Sequence, residues 1–77
     1  MNTTIYKQVF ALADKLMAAA ESDDRKTFDG LYIELRQLCE QNDNTDKDHP
    51  VQWETLADFT EDLELAVTLY EKALNKA

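Results

Sequence analysis

Apolar residues recur along this chain in steps of three, four and one, the signature of helix faces with 3.6 residues per turn. Tyr6, Val9, Phe10, Ala13, Leu16, Met17 and Ala20 share one such face. They predict a helix from Thr3 to Glu21, capped by Thr3 or Thr4, with Met17 filling core space. Ser22-Asp23-Asp24 reads as a turn carrying the cap of a second helix. That helix runs to Gln41 and lies antiparallel to the first, because the connection is short. Its face is Phe28, Leu31, Tyr32, Leu35, Leu38 and Cys39, with Gly30 on the opposite side. The polar stretch Asn42 to His49 is a loop, with His49 a solvated turn residue. Pro50 suits the first position of a third helix.

From Leu63 the apolar positions are Leu63, Ala66, Val67, Tyr70, Ala73, Leu74 and Ala77, again one helical face. Upstream, Trp53, Leu56, Ala57 and Thr60 form a shorter run. Thr60 followed by Glu61 and Asp62 reads as a helix cap with acids in the first turn, so a break falls near Phe59–Thr60. The alternative is one unbroken C-terminal helix. Trp53, Leu56, Thr60, Leu63, Val67, Tyr70, Leu74 and Ala77 also fit a heptad seam. The fold class is all-α in either case: antiparallel helical hairpins, or a three-helix bundle with a long last helix. The chain reads as a single domain of residues 1–77, with a hairpin over 3–41, a loop over 42–49 and a second hairpin over 50–77.

Trp53-x-x-Leu56-Ala57, followed by Ala66-x-x-x-Tyr70-x-x-Ala73, resembles the tetratricopeptide repeat (TPR). In that pattern small residues let two helix backbones approach and an aromatic fills the gap. The resemblance covers the last third of the chain and departs from the pattern in three places. Ala57 holds the usual Gly slot and Thr60 the usual Tyr slot. Trp53 and Ala66 are about one helical turn closer than is usual in the family. Helices two and four also repeat each other at an offset of thirty-five. Phe28, Leu31, Tyr32, Leu35, Leu38 and Cys39 map onto Leu63, Ala66, Val67, Tyr70, Ala73 and Leu74. The resemblance implies a non-enzymatic protein–protein interaction module that takes a peptide or helix of a partner protein. Repeats of this kind stack in threes or more, so two hairpins imply self-association, such as a homodimer, or part of a longer array.

Charge narrows the partners. Sixteen acids against eight bases give a net charge of −8. No basic face is available for direct nucleic-acid binding, and an anionic membrane surface repels the chain. A basic protein partner is attracted. The start of the chain has no basic region of the kind a secretory signal needs, and no apolar run is long enough to span a membrane. One cysteine excludes an internal disulfide and suits a reducing cytoplasm, the expected location.

Catalytic equipment is missing. One His and one Cys cannot make a zinc site. Cys39 sits on an apolar helix face, where a thiol is inert. Ser22, the only serine, lies in a polar turn, and a single glycine excludes a phosphate loop. Asp43, Asp46 and Asp48 suggest a calcium loop, but the glycine and the twelfth-place glutamate are absent. No enzyme activity, cofactor or metal is expected. Two surface features remain. Leu65 and Leu69 lie beside the main stripe of the last helix, and Phe59 and Ile33 lie off the best faces of theirs. Such residues meet another part of the core, a second subunit or a target, and Leu65 and Leu69 are the candidates for partner contact. Glu54, Asp58 and Glu61 form an acidic band suited to a basic peptide. If those carboxylates replaced phosphates, the chain would instead be an acidic decoy for the basic groove of a nucleic-acid-binding protein. A purely structural dimerisation unit is the third reading.

Overall fold

The computed structural model describes the backbone of residues 3–77 and side chains from residue 5 onward. It contains α1 (Thr3–Glu21), α2 (Arg25–Gln41), α3 (Pro50–Asp58) and α4 (Leu63–Asn75), with no strand among the described residues. The long C-terminal rod is therefore excluded, and two antiparallel hairpins stand in its place. The expected cap at Thr3 or Thr4 lies outside the described side chains.

Local chemistry sets each boundary. Asp24 caps α2, its Oδ1 accepting from the Thr27 N–H at 3.3 Å. Asp23 turns the chain with a left-handed φ of 57°. Pro50 opens α3, as its fixed φ favours. The break at Phe59–Thr60 is present, but its cap is not Thr60. Asp62 caps α4 by accepting from the Glu64 N–H at 3.2 Å. The Thr60 hydroxyl is engaged elsewhere, with the Leu56 carbonyl at 2.8 Å and the Tyr32 hydroxyl at 2.6 Å.

Helix α3 packs closely on each of the other three helices and is the hub of the fold. Its Trp53, Leu56 and Ala57 are buried with Ile5, Val9 and Leu16 of α1, Leu35 and Cys39 of α2, and Leu69 and Ala73 of α4. The whole measures 35 × 28 × 16 Å, so thin a slab that every helix keeps a solvent face. The second helix buries the face its sequence predicts. The first does so only in part: Val9 and Leu16 turn inward as predicted, joined by Ile5, Leu12 and Ala19, while Phe10 and Met17 are half-exposed. Two apolar stripes run side by side on α1, and periodicity cannot say which of them the neighbours cover.

Gly30 lies on the exposed side of α2, and a Cβ built there meets nothing within 4 Å. Gly30→Ala is therefore expected to stabilise the protein by about 0.5–1 kcal/mol, read as a rise in melting temperature. A fall would mean that the glycine is needed for close approach.

Candidate functional site

Two constellations stand out, one inside the fold and one on its outer face. The inner one locks the α2–α3 loop to the end of α4. The Asp48 carboxylate accepts four hydrogen bonds, which fill its acceptor sites. Oδ1 takes the Trp53 indole N–H at 2.7 Å and the Gln52 amide at 3.1 Å. Oδ2 takes the Asn44 N–H at 2.7 Å and the Lys76 ammonium. Lys76 also donates to Asp43 at 2.8 Å, as does Lys72, whose Nζ sits 4.0 Å above the Trp53 ring. Burial works to raise the Asp48 carboxyl. It is outweighed by the hydrogen bonds from Lys76, Asn44 and Trp53, which hold it down at about 2. Asp43 is lowered by its bonds to Lys72 and Lys76, and Lys76 is raised by those to Asp43 and Asp48. Two carboxylates of the apparent calcium loop thus face lysines. Among the described residues no group of His, Cys, Asp or Glu is arranged to hold a metal ion.

His49 is more than a solvated turn residue. It is half-buried and caps α3, its Nδ1 accepting from the Val51 N–H at 3.2 Å. The Tyr6 hydroxyl lies 2.9 Å from the same Nδ1 and 3.2 Å from Nε2. The contact ties α1 to the start of α3. Cys39 is fully buried beside the Gln52 carbonyl, and burial pushes its thiol up to about 12, where it is a poor nucleophile.

The outer constellation lies on α4. Leu63 is 79% exposed, Val67 51%, Tyr70 39% and Leu74 74%. Most of the expected core face of α4 is thus exposed. Ala66 and Ala73 are buried, whereas these four residues form a second stripe turned to solvent. Their spacing of four, three and four is a heptad seam without a partner. Tyr70, expected to seat in the hairpin, instead lines a groove of about 350 Å³ with Pro50, Glu54, Ala73, Leu74 and Ala77. Its hydroxyl donates to Asp58 Oδ1.

The offset of thirty-five explains the stripe. Leu63, Val67, Tyr70 and Leu74 correspond to Phe28, Tyr32, Leu35 and Cys39 of α2. There, α3 and the turn after it cover every one of them. Phe28 meets Phe59 edge-on at 6.3 Å, Tyr32 bonds Thr60, Cys39 bonds the Gln52 carbonyl, and Leu35 is fully buried. Helix α4 presents the same positions with no helix on top.

The residues expected from sequence to contact a partner are placed differently. Leu69 is buried at 8% and Leu65 is half-buried against the core, so both pack within the chain. They lie on the flank of α4 that faces α2, in a groove with Arg36 and Glu40. Phe59 is likewise packed inward, and Ile33 is exposed alone. Of the acidic band, Glu54 lines the α3–α4 groove and Asp58 holds Tyr70. Glu61 pairs with Arg25, which lowers its carboxyl. The three acids therefore do not form one surface, and the decoy reading loses its array of carboxylates. The signal for the α4 stripe is present in the sequence, as the heptad seam of a continuous helix.

Compared with known proteins, the chain matches no family model, no curated protein and no solved structure. Among the described residues no helix is long and apolar enough to cross a membrane.

Proposed function

We propose that this chain is a non-enzymatic protein–protein interaction module of TPR-like hairpins that receives a helix of another protein on the outer face of α4. One observation carries the reading: the residues that α3 covers on α2 recur, uncovered, on α4. Exposing four large apolar side chains in a row costs solubility, and such a patch marks an interaction site. The order of packing supports the same reading, because α3 sits across both α1 and α2 as the next helix of a stacked repeat does.

A photo-crosslinking residue placed at Val67 or Leu74 tests it in the native cell. A discrete protein adduct is expected at both positions and not at Ile33, an equally exposed apolar position on α2. The Val67→Asp/Leu74→Asp double variant removes no core contact, so its stability should stay within about 0.5 kcal/mol per substitution. A crosslinker at Leu63 in that background should lose the adduct. Equal labelling at all three sites, or none at any, would refute the docking face.

A further inference from the structure

Resting on the docking face proposed above, we infer that its occupant is an amphipathic helix of a different protein, with lysine or arginine along both edges of its apolar seam. The rim of the α4 stripe carries carboxylates on both sides. Glu54 and Asp58 border it along α3, Glu54 within the groove and Asp58 at the Tyr70 hydroxyl. Glu64 and Glu71 border it on the far side, three and four residues from Val67 and fully on the surface. The two lysines of this end of the chain do not reach the rim. Lys72 and Lys76 are drawn to the opposite flank by Asp43, Asp48 and the Trp53 ring. An apolar seam between two acidic edges selects a helix whose edges are basic.

A second copy of this chain fits poorly in either arrangement. A two-fold pairing of α4 stripes places each acidic rim against itself, in molecules that each carry −8. Head-to-tail stacking fails at the other end. The flank of α2 equivalent to Leu65, Leu69 and Lys72 is Gly30, Glu34 and Gln37. The α1–α2 groove is lined by Ala11, Leu12 and Leu38 as well as by Gln8, Lys15, Glu34, Gln37 and Gln41. That flank of α2 is thus more polar than its α4 counterpart, and the exposed apolar residues of the first hairpin, Phe10, Met17 and Ile33, do not repeat the four-residue stripe of α4.

Two synthetic helical peptides of about 18 residues test this, long enough to sample helix in water. Both carry Leu at seam spacing of four, three and four. One has Lys at the flanking positions and the other Glu, and a third peptide has the Lys composition in scrambled order. Binding to the full chain is measured by fluorescence anisotropy at low and high salt. The Lys-flanked peptide is expected to bind at least about tenfold more tightly than the Glu-flanked one, with a steep salt dependence, since several rim pairs act together. The scrambled peptide should not bind. Glu54→Gln/Glu71→Gln should weaken the Lys-flanked peptide several-fold, and Val67→Asp/Leu74→Asp should abolish it. Equal affinity for both seam peptides would overturn the basic-edge inference and leave the docking face standing. Binding by neither would overturn the docking face as well. A dimer in sedimentation equilibrium that Val67→Asp dissolves would assign the stripe to a second copy and refute a foreign helix.

Discussion

Trp53→Ala is expected to remove a large part of the protein's folding stability and to lower its melting temperature by well over ten degrees. Trp53 is 1% exposed and lies at the centre of the hub helix α3. Truncating a buried Trp to Ala costs about 3–5 kcal/mol in lost transfer energy and cavity. A domain of this length has only about 4–12 kcal/mol in total. The loss spreads beyond the cavity. Asp48 is deprived of the indole N–H at 2.7 Å, and Lys72 and Lys76 lose the ring they sit above at 4.0 and 5.6 Å. Far-UV circular dichroism against temperature provides the measurement. A cooperative melt within a few degrees of the parent would show that Trp53 is not the centre of the core. Trp53→Phe separates the parts: it keeps a ring under the lysines and removes the N–H, and an intermediate loss of about 1–2 kcal/mol is expected.

Asp48→Asn should destabilise the protein by about 2 kcal/mol at neutral pH, with the difference vanishing below about pH 2. The amide oxygen can still accept from Trp53 and Gln52, so the substitution mainly removes the charge opposite Lys76. The sign follows from linkage. Asp48 titrates at about 2 in the fold against 3.8 for an ordinary aspartate, so the unfolded chain takes up its proton first as the pH falls. The stabilisation is complete above about pH 5 and is lost as the pH falls through about 2 to about 1, with a free-energy change approaching about 1.4 kcal/mol for each pH unit between the two values. Asp43, lowered by Lys72 and Lys76, titrates in the same direction. Urea unfolding of both proteins from acid to neutral pH gives two curves that should converge at the acid end. Parallel curves would mean that the Asp48–Lys76 pair contributes no net stability, as many exposed ion pairs do not.

The α2–α3 loop looks, in sequence, like an acidic loop in search of a cation. Its cations come from Lys72 and Lys76, about thirty residues away in the chain and brought beside it only when α4 folds back on α3. No local pattern joins Asp43 to Lys76. The same limit explains His49, whose partner Tyr6 lies on the first helix. It also explains the faces of α1 and α4. Each carries two apolar stripes about 100° apart, and summing their residues gives a single broad face whose centre lies between the true core stripe and the true surface stripe. On α2 the stripes merge because α1 covers one side and α3 the other, so its predicted face is the buried one. Thr60 illustrates a smaller confusion. A cap residue and a side chain that bonds back to the carbonyl four residues earlier look alike until the helix end is seen.

The all-α class, the approximate ends of α1 and α2, the start of α3 and the correspondence of α2 with α4 follow from the order of residues alone, whereas the break before α4 is one of two readings. They depend on interactions within a few turns of one helix: side-chain periodicity, a proline at the first position of α3, and an acid before α2. What only the tertiary structure decided is which apolar stripe of each helix is spent on the core. That choice depends on the helix lying next to it. On α2 the neighbour is α3; on α4 the corresponding residues, Leu63, Val67, Tyr70 and Leu74, have no helix packed over them among the described residues and are exposed to solvent.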